Sequence, residues 1–147
     1  MSEKINSIAS LHQQLYLDKS KEEIELKSYI LEIFKNFESH FTNQKVNLHA
    51  NAEPSSLNID KAVYLGLLIT ELITNSLKHA FEAVENKEIA INIYAEESTI
   101  LVEYSDNGKG LKSGQAPSLV VLLMKQLRAS ILATDQLGYS LKFKFKK

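Results

Sequence analysis

GLLITELITNSLKHAF, residues 66–81, follows the apolar stretch AVYL and keeps supplying Leu and Ile at the spacing of a buried helix face. Into that face it inserts Glu71, Asn75 and His79, each four residues from the next. Four residues turn an α-helix by roughly 400°, so the three polar side chains form one slowly drifting row. Leu72, Ile73 and Leu77 fall on the other side, where they can hold the helix to a core. A solvated stripe explains one such residue; three in register suit a metal-nucleotide better. An Asn carbonyl is a hard oxygen ligand for Mg²⁺, which keeps several waters and takes the rest of its shell from phosphates. Glu71, one turn earlier, is placed to hold a metal-bound or attacking water. Lys78 and His79, one turn later, are placed to offset phosphate charge, and phosphoryl transfer rests on such positioning and charge compensation. Thr70, Thr74 and Lys78 extend the polar residues into an expected exposed strip.

Outward from this helix the chain alternates between helical and strand patterns. Ile5, Ile8, Leu11 and Leu15 give residues 4–17 an amphipathic stripe, and a second helix is predicted from Glu22 to Phe41 with Ile24, Tyr29, Ile30, Ile33, Phe34 and Phe37 inward. VNLHANA (46–52) alternates like a short strand, and the following segment reads as a loop ending in Asp60, a helix N-cap. EIAINIYAEE and TILVEYSD form a hairpin turning near Glu97 and Ser98. SLVVLLMKQLRA (118–129) returns to helix, and the C-terminus closes as a second hairpin turning at about Gln136–Gly138. In KFKFKK the alternation turns Phe143 and Phe145 inward, and the lysines read as protection of an exposed sheet edge. The expected class is α+β: a two-layer sandwich with helices on one face of a mixed, mainly antiparallel sheet.

SDNGKGL, residues 105–111, is the second chemical signal. An Asn-Gly pair after an apolar strand is commonly a hairpin turn, but no alternating strand follows. In the functional reading Gly108 and Gly110 let the backbone pass close to a ligand, and Asp106 points a carboxylate into the same space. A carboxylate accepts hydrogen bonds only, so its target is a ligand N–H such as the exocyclic amine of adenine.

Composition narrows the function classes. The 147 residues carry 17 Lys and Arg against 18 Asp and Glu, a net charge of −1, which gives no field for non-specific nucleic-acid binding. Without cysteine there is no disulfide framework, thiol catalysis or Cys-ligated zinc. No apolar run approaches the roughly 20 residues of a membrane span, so no direct membrane contact is expected from this chain, and a cytoplasmic location is expected.

Together, LGLLITELITNSLKHAF and VEYSDNGKGL resemble the N-box and first glycine box of the GHKL ATPase superfamily. With IASLHQQLY near the N-terminus, the chain is similar to sensor histidine kinases with a shortened nucleotide lid. The resemblance implies a Bergerat-type fold binding ATP and Mg²⁺, with Asn75 on the metal, Glu71 on its water shell, Lys78 and His79 near the phosphates, Asp106 on adenine, and Gly108 and Gly110 shaping the pocket. It implies residues 1–20 as the last helix of a dimerisation and phosphotransfer hairpin whose first helix lies outside this chain, and residues 21–147 as the catalytic domain. The implied activity is transfer of the ATP γ-phosphoryl group to a histidine on a separate helical domain, and from there to a response regulator, with pairing of two copies through residues 4–17. The chain alone is then expected not to phosphorylate itself, since His12 lies on the wrong helix.

Two positions depart from the family pattern. Val120 stands where the second glycine box has glycine, and Gly138-Tyr139 replaces a Gly-Thr pair. Val120 predicts weakened nucleotide binding, and it motivates an alternative in which the fold persists as a docking or dimerisation module without catalysis. A serine-directed kinase of the same superfamily is the other alternative.

Overall fold

The computed structural model describes residues 23–40, 46–80, 86–108, 118–135 and 140–147. The stripe at 4–17, His12, Gly110, Phe81 and the turn at 136–138 lie outside these residues. The described elements are β1 (Glu23–Glu25), α1 (Leu26–His40), β2 (Val46–Ala52), β3 (Ser56–Asn58), α2 (Ile59–Asn75), which continues into a π-helical turn (Ser76–Ala80), β4 (Lys87–Ala95), β5 (Thr99–Asp106), α3 (Ser118–Leu127), β6 (Ser130–Asp135) and β7 (Ser140–Lys146).

Five strands form the main sheet in the order β2-β4-β5-β7-β6, and β1 pairs with β3 in a small separate sheet. Only β2 with β4 is parallel; the other pairings in the main sheet are antiparallel. The parallel pair is the physical signature of a crossover, since α2 lies between its strands in the chain. Period-two alternation sets the inward face: Ile89, Ile91 and Ile93 of β4, Ile100, Val102 and Tyr104 of β5, and Leu141, Phe143 and Phe145 of β7 are all buried. The helices cover that face with Ile30, Ile33, Phe34 and Phe37 of α1, Leu65, Leu68, Ile69, Leu72 and Ile73 of α2, and Val120, Leu123, Met124 and Leu127 of α3. The expected two-layer α+β architecture is the observed one.

Four local expectations need correction. The α1 helix begins at Leu26, because residues 23–25 pair with β3. Glu25 instead caps it, its carboxylate accepting from the Lys27 and Ser28 N–H groups and from Ser55 N–H across the loop. The α2 cap is Asn58, whose side chain accepts from Lys61 N–H at 3.1 Å, so Asp60 sits inside the first turn. The lysines of β7 do not guard an edge, because β7 lies between β5 and β6; they solvate the open face of the sheet, and Lys142 pairs across the strands with Glu103 at 3.4 Å. Finally, Thr70 and Thr74 are buried rather than exposed, and the Thr70 hydroxyl donates back to the Gly66 carbonyl at 2.8 Å instead of to solvent.

One close approach sets the spacing of α1 and α2. A Cβ on Gly66 would overlap the Tyr29 hydroxyl and come within 2.8 Å of its Cζ. Gly66 is therefore the residue that lets the buried Tyr29 ring lie against α2.

Candidate functional site

The C-terminal end of α2 meets the C-terminal end of β5. Ile100, Val102, Tyr104 and Asp106 share the inward face of β5, so the last inward position of an otherwise apolar line is a carboxylate. Asp106 is 8% exposed, and its two oxygens are held from different directions. Ser76 Oγ donates to Oδ2 at 2.5 Å, and Gly108 N–H donates to Oδ1 at 2.9 Å. Ser76 Oγ also lies 2.6 Å from the Tyr104 hydroxyl, whose single proton has both Ser76 Oγ and the Leu72 carbonyl, at 3.0 Å, as acceptors. The Ser76 backbone N–H returns to the Leu72 and Ile73 carbonyls. A chain of hydrogen bonds thus runs from α2 through two buried hydroxyls to the carboxylate.

The Asn107-Gly108 pair is not a hairpin turn. Asn107 N–H continues the β4–β5 ladder to the Glu88 carbonyl, and its side chain accepts from Glu88 N–H at 2.8 Å and donates to the Asn86 carbonyl at 2.5 Å. This fastens the end of β5 to the start of β4, and the next described element is α3, not a strand. Gly108 is buried.

The residues of the helix row take different environments. Glu71 and Asn75 are half-buried, and Lys78 is exposed. Asn75 Nδ2 is buried and has no hydrogen-bond partner among the described residues, as is also true of Thr74 Oγ1. Buried polar atoms are nearly always satisfied, so each such group requires an explanation. The row does not continue as a regular α-helix to Phe81. After Asn75 the chain takes a π-turn with i→i+5 bonding, and such turns are frequent at functional sites. His79 belongs to this turn, and its side chain lies outside the described set. Among the described residues, no three His, Asp or Glu side chains converge on a metal position.

Val120 is buried in the first turn of α3, at 2% exposure, and joins the apolar core. Its side chain is thus directed to packing. Ser76 and Tyr104 are the site residues that sequence reasoning missed. The available signal was Tyr104 standing two residues before Asp106, hence on its face.

No protein-family model matches the sequence. Among curated proteins, the chain is 33% identical over 116 residues to the sensor histidine kinase PdtaS of Mycolicibacterium smegmatis, across 76% of this chain and 22% of that protein. It is 33% identical over 64 residues to the serine-protein kinase RsbW of Listeria innocua, across 44% of this chain and 41% of that protein. The chain therefore spans about a fifth and two fifths of the length of these relatives. Among solved structures, the histidine kinase domain of the Erythrobacter litoralis EL346 blue-light activated histidine kinase superposes with a TM-score of 0.77 at 17% identity, over 98% of this chain and 73% of that one. The catalytic domain of histidine kinase ThkA superposes with a TM-score of 0.65 at 17% identity, over 85% of this chain and 94% of that one. The fold is the GHKL fold of histidine kinase catalytic domains.

Proposed function

We propose, with the fold of histidine kinase catalytic domains as the premise, that this chain binds ATP and transfers its γ-phosphoryl group to a histidine on a separate helical domain. The observation that carries the reading is the Asp106 carboxylate, buried at the end of β5 and held by Ser76 and Gly108 N–H. A buried carboxylate with a fixed plane suits a ligand amine, and adenine brings one. The second support is Asn75, whose unsatisfied amide sits one residue before Ser76 at the end of the same helix. A carboxamide carries both N–H donors and a hard oxygen, so this side chain can offer either to a ligand. Its oxygen would suit a magnesium ion that takes the rest of its shell from phosphates and water.

In this reading Asn75 would hold the ion, and Glu71, one turn earlier, would act through its water shell. Magnesium, when bound, would neutralise charge on the triphosphate. Lys78, exposed on the π-turn, and His79 offset phosphate charge from the protein side, while Gly108 and Gly110 admit the nucleotide close to the backbone. The protein's contribution is thus positioning and charge compensation, as phosphoryl transfer requires. The acceptor histidine, a response regulator that receives the phosphoryl group, pairing of copies through residues 4–17 and a cytoplasmic location belong to the same proposal.

Titration with ATP and Mg²⁺ tests it. Binding at micromolar to millimolar ligand that falls at least tenfold in Asp106→Asn is expected, the loss of a charge-assisted hydrogen bond being worth about 1.5–3 kcal/mol. Absence of binding at millimolar ligand would sink the proposal in favour of a non-catalytic module. The likeness to RsbW over 64 residues supports a second reading, a serine-directed kinase. Phosphoryl transfer from labelled ATP to an added acceptor domain separates the two, since phosphohistidine is acid-labile and phosphoserine is acid-stable.

A further inference from the structure

Ser76 and Tyr104 sit where packing alone asks for neither hydroxyl. Ser76 is 3% exposed at the junction of α2 and the π-turn, and Tyr104 is 1% exposed in the centre of β5. Alanine and phenylalanine would fill the same space without two buried polar atoms to satisfy. The geometry gives the hydroxyls a common task. A carboxylate oxygen can only accept, so the serine's single proton goes to Asp106 and the phenol is the donor toward Ser76 Oγ, with the Leu72 carbonyl the other acceptor in its reach. Ser76 Oγ is then set between two oxygens, 2.6 Å from Tyr104 Oη and 2.5 Å from Asp106 Oδ2.

The terminal torsion of an aspartate is broad and nearly two-fold when nothing fixes it. Here Ser76 takes one oxygen from the helix side and Gly108 N–H takes the other from the loop side. Rotation of the carboxylate by a quarter turn breaks both bonds. Tyr104 in turn fixes Ser76, because its hydroxyl donates to Ser76 Oγ and lies beside the Leu72 carbonyl that receives the Ser76 backbone N–H.

We infer that Ser76 and Tyr104 are positioning residues that fix the plane of the Asp106 carboxylate and so set the site's preference for a base bearing an exocyclic amine over a 6-oxo base. This rests on the reading of Asp106 as the group that meets the nucleotide base. An amine donates to the fixed carboxylate, whereas a 6-oxo group faces it as a second acceptor. A carboxylate released from Ser76 loses its set plane and meets the amine less well, whereas the oxo group, which forms no bond to it, is little affected. Preference falls with the loss of the hydroxyls even though Asp106 remains.

The test uses the full 147-residue chain with Mg²⁺, titrated with ATP and with inosine triphosphate, its 6-oxo counterpart. The parent is expected to prefer ATP. Ser76→Ala and Tyr104→Phe are expected to lose about tenfold in ATP affinity while inosine triphosphate changes less than twofold, since it makes no use of the amine contact. Ser76→Thr, which keeps a hydroxyl, restores much of the preference. In an Asp106→Asn background, Ser76→Ala no longer alters the ratio. A purely structural role weakens both nucleotides together and shows in parallel thermal melts. If folded Ser76→Ala and Tyr104→Phe proteins keep the parent's ratio, the inference is overturned while nucleotide binding stands. A parent that binds neither nucleotide overturns the functional reading and this inference with it, and a parent that binds both equally removes Asp106 as the base-reading group.

Discussion

Replacing Gly66 with alanine sets two opposing effects against each other. In the interior of α2, alanine is favoured over glycine by about 0.8–1 kcal/mol through helix propensity alone. The new Cβ, however, would overlap the Tyr29 hydroxyl and stand 2.8 Å from Cζ. Tyr29 is 4% exposed in the core, so its ring has little room to withdraw. Overpacking of a well-packed core typically costs about 1–3 kcal/mol, and an overlap that reaches the ring carbon as well as the hydroxyl belongs in the upper half of that range. The net expectation is a loss of about 1–2 kcal/mol, which lowers Tm by about 2–4 °C per kcal/mol in a chain of this size. Urea denaturation of the parent, Gly66→Ala, Tyr29→Phe and the double variant measures it. Removing the hydroxyl relieves the nearest overlap and leaves the Cζ contact, so the double variant should recover part of the loss, with a coupling of at least about 0.5 kcal/mol. A Gly66→Ala protein more stable than the parent, or strict additivity in the cycle, would falsify the claim that Gly66 exists to admit Tyr29.

Other perturbations address the caps and the altered glycine box. Glu25→Gln removes a carboxylate that desolvation disfavours but that the Lys27, Ser28 and Ser55 N–H groups and the Ser28 hydroxyl together hold below its ordinary value of 4.5. A lowered folded value means the contribution is present above pH 4.5 and lost as pH falls through the folded value, so the stability gap between parent and variant should close in acid. Asn58→Ala should cost about 1 kcal/mol of stability through the lost cap on α2, read in urea melts. Val120→Gly restores the residue implied by the resemblance but removes a buried side chain from the first turn of α3. It should lower stability by about 2–4 kcal/mol, from lost burial and helix propensity together, and ATP titration of the folded fraction shows whether the backbone there limits binding.

Much of the architecture was legible because periodicity reports burial. The hairpin of β4 and β5 and the helix over 118–127 follow directly from alternation and from i, i+3, i+4 spacing. The three-residue strands β1 and β3 were not legible, since two alternations are too few to separate a strand from a loop. The cap on α2 was placed two residues late because Asn58 and Asp60 are both good capping residues, and only geometry chooses between them. The position of β7 was missed for a different reason: alternating lysines report one solvated face, and that is equally true of an edge strand and of an inner strand in a sheet covered on one side. At the site, the helix row and Asp106 were visible as polar residues at apolar positions. Ser76 and Tyr104 were not, because a small hydroxyl and a tyrosine raise no compositional alarm, and their role depends on a contact between residues 28 and 30 positions apart. The π-turn was invisible because one extra residue per turn leaves local composition unchanged.

The stitching of Asn107 to Asn86 and Glu88, with Gly108 fixed on Asp106, ends the ordered ladder at one defined point, and α3 begins again at Ser118 against α2. The two anchors belong to the sheet and the helical layer, so neither depends on how many residues join them.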